Sequence, residues 1–275
     1  MKILISADIE GVNGVVHPDQ IYPDGKFYKE TLEKWVLELN ALIEGLKEAG
    51  VKEIVINDSH NHMRNLDSAK LKGASLIVGW QKPFSMACSA QLGFDGSMFT
   101  GYHAKATANG VLSHTYRPRI IKKVLLNGKE VGETGLNAAL LGFYNIPVLL
   151  VNGDDVTCQE AKDLLGKDLI TVESKKALSR YSALSKPFDE TLKDLKEGAK
   201  KAIKEKDKFK PFKVTSPTLQ ITFAEPNHAD GAELIPNVRR IGNTEVEFSH
   251  DDMPTLFKVF LAMGALAASR DDILT

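Results

Sequence analysis

Cysteine is nearly missing from this chain of 275 residues. Cys88 and Cys158 are the only two, far apart and in no CxxC pair. A disulfide framework and a thiol redox motif are therefore excluded, and both thiols read as small core residues. An excess of charge is missing too. Lys and Arg number 35 against 36 Asp and Glu, a net charge of -1, so nothing draws the chain to nucleic acid or an anionic membrane. No apolar stretch approaches the roughly 20 residues that span a bilayer. The chain enters a strand at residue 2 without a basic region, apolar core and cleavage site, so a cytoplasmic protein is expected. A GxSxG elbow, a GxxxxGK[ST] phosphate loop, a GxGxxG turn after the first strand and an HExxH helix are all absent. Internal repeats and low-complexity tracts are absent as well.

What is present is a hydrophobic content of 43% with 26% charged residues, enough for one large domain or two ordinary ones. Ile3, Leu4 and Ile5 form a β-branched apolar run, a strand buried on both faces, and Gly11 allows a sharp turn after it. Asp8 and Glu10 stand where that strand ends. Residues two apart on an extended chain point to one side, so both carboxylates enter one crevice. Their repulsion and desolvation call for a cation, a shared proton or several donors. Taken alone, the pair also reads as a cap on a following helix.

Leu32, Trp35, Val36, Leu39, Leu42, Ile43 and Leu46 recur at helical spacing until Gly50, and Glu53–Asn57 is the next strand. This β-α-β unit is right-handed with parallel strands, so both carboxyl ends face the same edge. The second strand runs into Asn57-Asp58-Ser59-His60-Asn61-His62. Ser75–Val78 and Ser97–Thr100 are further strands, and the latter leads to Gly101-Tyr102-His103. Ligands of open α/β sheets bind at that edge.

Ile120–Leu126 and Lys129–Val131 flank Asn127-Gly128, a strong hairpin signal, and a protruding hairpin of this kind pairs with neighbouring subunits. Glu133 opens a helix, and Pro147–Asn152 is a buried strand. A helix follows from about Glu160, then a strand over Leu169–Val172 and a Ser/Lys linker ending at Pro187. Phe188–Lys206 is a helix with a solvated Lys-rich face. Leu219–Phe223 and Thr244–Phe248 alternate as half-buried strands, and Met253–Ala268 is the last helix. The expected fold class is α/β: a three-layer α/β/α sandwich with a largely parallel sheet, a smaller C-terminal α+β part and a protruding hairpin. The expected domains are a metal-binding catalytic domain over 1–185 and a C-terminal domain over 186–275.

Asp8, Glu10, His60, His103, His114 and Glu133 collect at strand ends and loop starts. Carboxylates and imidazoles without thiolate suit zinc, manganese or cobalt. Five ligands exceed what one catalytic zinc needs and point to two metals about 3.5 to 4 Å apart with one bridging carboxylate. Each has a plainer reading, a hydrogen-bonded loop His or a Glu at a helix N-terminus. Asp58 is expected to orient a ligand imidazole and His62 to face solvent. His17, His228 and His250 read as ordinary surface or structural residues.

Ser6, Asp8, Glu10 and Gly11, then Asn57-Asp58-Ser59-His60, Lys82-Pro83-Phe84-Ser85-Met86, Gly101-Tyr102-His103-Ala104, Ser113-His114 and Gly132-Glu133 with Gly135-Leu136-Asn137, resemble the zinc-dependent D-aminopeptidase family related to the dipeptide-transport enzyme of bacilli. The likeness runs from residue 1 to about Asp155 and more loosely beyond. It implies a two-zinc peptidase removing N-terminal D-residues, D-alanine especially, from short peptides. Asp8 would bridge the metals, Glu10, His60, His103 and Glu133 would complete their shells, and His114 would assist catalysis. The likeness also implies a homodecamer of two stacked five-membered rings, for which the Asn127-Gly128 hairpin is the expected intersubunit arm. Two other readings fit the same residues. One is a two-metal phosphoesterase using Lys82 and Lys105 as extra donors; the other is a non-catalytic, metal-containing peptide-binding partner of a transporter.

Overall fold

The computed structural model describes residues 1–270. In chain order the elements are β1 (Lys2–Ala7), α1 (Tyr28–Glu48), β2 (Glu53–Asp58), β3 (Ser75–Ile77), β4 (Gly96–Thr100), β5 (Ile121–Leu126), β6 (Lys129–Glu130), α2 (Glu133–Phe143), β7 (Val148–Asp154), α3 (Asp155–Leu165), β8 (Ile170–Ser179), β9 (Ser182–Ser185), α4 (Phe188–Lys204), β10 (Thr218–Phe223), α5 (Pro226–Glu233), β11 (Arg239–Arg240), β12 (Glu245–Ser249) and α6 (Met253–Ala268). Among the described residues no helix is long and apolar enough to cross a membrane.

The strands form two sheets. The larger has the order β3-β2-β1-β4-β7-β8-β9, parallel except for β8 against β9. Alternation along β1 separates its two faces. Ile3 and Ile5 join Trp35, Leu39 and Leu42 of α1 and Leu195 and Ala199 of α4 in one core. Leu4 turns the other way, into a core with Leu136 and Leu140 of α2 and Phe257 and Phe260 of α6. Full burial of each such side chain contributes about 1.5–3 kcal/mol, so both faces of the sheet are strongly held. The expected three layers are therefore present.

The smaller sheet, β11-β12-β10-β5-β6, lies over the α2 side and shares its core. The Asn127-Gly128 hairpin joins β5 to β6, the edge strand of this sheet. Asn127 and Gly128, with φ of 48° and 75°, do make the hairpin turn. However, β5 is an inner strand paired with β10, and the turn is tied down by the Asn127 side chain bonding Thr218 N and Thr215 O. Ile121, Val124 and Leu126 are buried in the core that α2 and α6 share with this sheet. Sheet membership also crosses residue 185: β5 and β6 precede it yet belong to the smaller sheet, while α4 follows it and packs on the larger.

A correction concerns residues 173–185. The expected linker is the far half of β8 and the hairpin to β9, in which Ser174 and Lys175 are buried. Polar residues facing inward conceal the strand from a hydropathy reading. Beyond them Leu178, Tyr181 and Leu184 are 63%, 55% and 66% exposed, so this hairpin presents apolar surface. The helix expected from Glu160 begins earlier, at Asp155, because Asp154 caps it by accepting from Thr157 N at 2.7 Å.

Candidate metal centre

Chain order around β1 sets the site. β2 lies on one side of β1 and β4 on the other, which makes the end of β1 the switch point of a parallel sheet, where ligands bind. Ala7 stands level with both Asp58 and Thr100. Asp8, His60 and His103 therefore leave the sheet at one height. Main-chain bonds lock the three exits together: Ser59 N to Ala7 O at 2.7 Å, Asp8 N to Thr100 O at 2.8 Å and Gly11 N to Gly101 O at 2.7 Å. Gly101 is obligatory here, with φ of +68° and room for a Cβ only 1.9 Å from the Asp8 carbonyl oxygen.

Glu133 and His114 arrive from elsewhere. Glu133 is the first residue of α2, where the helix N-terminus favours a carboxylate, and its Oε1 accepts Tyr116 N at 2.6 Å. His114 sits in the irregular segment between β4 and β5. Leu112 and Tyr116, on either side of it, have φ of 51° and 56°, a left-handed conformation that L side chains adopt at a cost. That backbone turns the imidazole inward, stacked on His103 with ring centroids 3.8 Å apart and planes at 13°.

All six candidate residues meet in one buried cluster. His60 Nδ1 lies 3.2 Å from Asp8 Oδ1 and 3.3 Å from Glu10 Oε2. His103 Nε2 lies 3.7 Å from Asp8 Oδ2 and 3.3 Å from Glu133 Oε1, and His114 Nε2 lies 3.7 Å from Glu133 Oε1. Asp8 thus faces one imidazole with each oxygen. Three ligand sets have donor atoms within 4.8 Å of one another: Asp8, Glu10 and His60; Asp8, His103 and Glu133; and Glu10, His103 and His114. Asp8 belongs to two of these sets. His114 can reach a cation as well as stand beside it.

The hydrogen bonds show how the imidazoles are aimed. His60 Nε2 meets Ile21 O at 2.8 Å, His103 Nδ1 meets Ala104 O at 3.0 Å and His114 Nδ1 meets Leu112 O at 2.8 Å. A carbonyl only accepts, so each ring donates from that nitrogen and turns its other nitrogen to the carboxylates. Among the described residues Glu10 Oε2 and His103 Nε2 are buried and make no well-aligned hydrogen bond, their closest contacts being those of 3.3 Å to His60 and Glu133. Ligand atoms so weakly bonded in such a donor set fit a divalent cation.

Electrostatics agree. Burial, together with the neighbouring Glu10, pushes the Asp8 carboxyl well above the usual range. Against the same burial, His60, His103 and His114 hold Glu10 well below it. His60 is held well above its ordinary value by Glu10 and Asp8 despite burial, and His103 is pushed up to about 10, chiefly by Glu133. Burial and then the charge on His103 lower His114. The carboxylates thus draw positive charge into the cluster, as protons or as a metal.

Asp58 does not touch an imidazole. Its carboxylate accepts from Asn65 N at 2.6 Å and Leu66 N at 3.0 Å, holding the loop beyond His60; the Ile21 carbonyl takes the expected role. His62 faces outward, its ring 4.7 Å from that of Trp80. Lys82 lies closer to the site than a surface lysine would. Its Nζ donates to Asn57 Oδ1 and Asp58 O, each at 2.5 Å, and burial lowers it to about 8.

Sequence reasoning missed Lys175. It is 1% exposed, and its Nζ donates to the carbonyls of Glu10, Val12 and Val15 at 2.6, 2.8 and 2.8 Å. Only the odd clustering of Ser, Lys and Lys at 174–176 inside a strand-length segment hinted at it.

A parallel α/β sheet with a buried carboxylate–imidazole cluster at its switch point defines a metallohydrolase-like chain. A sequence model of the D-aminopeptidases, peptidase family M55, matches residues 1–262, and the chain belongs to that family. It is 36% identical over 274 residues to the D-aminopeptidase of Bacillus subtilis strain 168, covering 97% of this chain and 98% of the relative. A solved structure described as the Zn-dependent D-aminopeptidase DppA from Bacillus subtilis, a self-compartmentalizing protease, superposes with a TM-score of 0.94 at 34% identity. That match covers 98% of this chain and 99% of the other.

Proposed function

We propose that the chain is a zinc-dependent aminopeptidase that removes N-terminal D-residues, D-alanine by preference, from short peptides. The observation that carries this is the aim of His60, His103 and His114. All three donate one ring N–H to a main-chain carbonyl and turn the other nitrogen toward Asp8, Glu10 and Glu133. Asp8 would bridge two zinc ions per subunit, with Glu10 and His60 on one side and His103 and Glu133 on the other. When bound, the pair supplies a water of lowered pKa and a polarised scissile carbonyl.

The remaining work falls to His114. With Nδ1–H committed to Leu112 O and its pKa lowered, the neutral ring offers the Nε2 lone pair to the cleft. It takes the proton released as water oxygen bonds to the carbonyl carbon, and gives it to the leaving amine as the C–N bond breaks. The products are a free D-amino acid and a peptide shorter by one residue.

We further propose that the chain assembles into a ring decamer in the cytoplasm; the relative described as self-compartmentalizing supports an oligomer. Leu178, Tyr181 and Leu184 on the β8–β9 hairpin supply exposed apolar surface for it. Parallel assays of D-alanyl and L-alanyl p-nitroanilides, with chelator and zinc add-back, test the reading. Zinc-restored hydrolysis of the D-isomer supports it; equal rates on both isomers, or rates indifferent to chelator, oppose it.

A further inference from the structure

The candidate centre forms the floor of a cleft of about 920 Å³. Its lining is unevenly charged. Among the described lining residues the only acids are Asp8, Glu10 and Glu133, all part of the cluster itself, whereas the walls carry the cations Lys82 and Arg119. Two divalent ions would offset the three carboxylates, leaving Lys82 as a cation on the wall beside them. Such a cavity attracts an anionic group on the substrate.

Lys82 is placed to receive it. Both of its hydrogen bonds go to neutral oxygens, Asn57 Oδ1 and Asp58 O, and an ammonium has three donors. The Asp58 carboxylate nearby is already taken by Asn65 and Leu66. The Asp58 carbonyl that Lys82 holds is two residues from His60, so the ammonium stands beside the metal floor on the side of β2. It is also half-buried, where a charge-assisted bond counts for more than at the cleft mouth. Arg119, by contrast, is exposed.

A short peptide bound through its N-terminal residue presents one further anion, its terminal carboxylate. In a dipeptide that group follows the scissile bond by one residue, roughly 3.5 Å of extended chain. We propose that Lys82 binds the C-terminal carboxylate of the peptide, so that the enzyme selects short substrates with a free C-terminus. This rests on the D-aminopeptidase reading. It adds a specificity residue that metal ligation and proton transfer leave out.

The test compares D-alanyl-D-alanine with its C-terminal amide on the zinc-loaded protein, with D-alanyl p-nitroanilide as a substrate that has no carboxylate. The free acid is expected to have a kcat/KM at least about tenfold above the amide, carried mainly by KM, a difference worth about 1.4 kcal/mol. In Lys82→Met that ratio should fall toward one, and Lys82→Arg should restore part of it. A wild-type ratio near one overturns the proposal even if neither variant folds. A ratio that Lys82→Met leaves intact while both rates fall together also overturns it, since that marks a clamp for the end of β2. Hydrolysis of the anilide alongside either result keeps the peptidase reading. Failure to hydrolyse any of the three substrates removes both.

Discussion

Lys175 Nζ lies 2.6 Å from the main-chain carbonyl of Glu10 and also holds those of Val12 and Val15. Its neighbour Ser174 donates to Gly11 O at 2.5 Å. One end of β8 therefore grips the turn that carries a candidate ligand, from a position 165 residues further along the chain. A buried ammonium is costly unless its donors are met, and here three carbonyls meet them.

Replacing Lys175 with Met removes the ammonium donor from all three carbonyls, and among the described residues only that of Val12 keeps another partner, Val15 N at 3.1 Å. Stability should fall by roughly 3 kcal/mol, and zinc affinity should fall with it because Glu10 is released. Denaturant unfolding and chelator competition would measure the two. Unchanged zinc affinity in a folded Lys175→Met protein would separate the grip from the metal centre.

His114 stacks on His103 but is tied to the backbone through Leu112 O. His114→Ala should keep its zinc and lose about 10²–10⁴-fold in kcat. Metal analysis beside steady-state kinetics distinguishes the roles His114 can take. Loss of a zinc equivalent would make it a ligand, as its grouping with Glu10 and His103 permits; a near wild-type rate would remove it from the chemistry.

Glu38 of α1 is fully buried, its Oε1 accepting Asn13 N at 2.9 Å and its Oε2 without a partner. Burial raises its pKa from 4.5 to about 7. Between those values the native state holds a proton that the unfolded state has lost, so stability falls as pH rises across that window. Glu38→Gln keeps an acceptor and cannot ionise. It should match the wild type near pH 4 and exceed it by up to about 3 kcal/mol at pH 8, as measured by urea unfolding of the metal-free proteins. Parallel pH profiles for the two would contradict this.

Without metal, His60 and His103 remain protonated at neutral pH, His103 up to about 10. Zinc must displace those protons, so loading should release on the order of two per subunit, and apparent affinity should rise with pH up to that value. Calorimetry in buffers of different ionisation enthalpy reads the number directly. An enthalpy independent of buffer would mean that the imidazoles are neutral before the metal arrives.

How far the chain could be read before its structure depends on how local each signal is. Asp8, His60 and His103 are legible because each follows a short apolar strand, and parallel strands bring their ends together. Glu133 and His114 are harder, since the segment between β4 and β5 has no period, and their place was carried by motif resemblance. Lys175 stayed hidden because a buried lysine breaks the very alternation that marks a strand. The pairing of β5 with β10, Leu126 opposite Leu219, spans too much sequence for any local pattern to show. A carboxylate beside a histidine can bond its ring or the backbone near it, and Asp58 takes the backbone, at Asn65 N and Leu66 N.

The most direct test is anomalous diffraction at the zinc edge from zinc-loaded crystals. Two peaks about 3.5 to 4 Å apart, with Asp8 between them, Glu10 and His60 at one and His103 and Glu133 at the other, are the predicted result. A single peak, or peaks away from Asp8, would contradict the two-zinc centre.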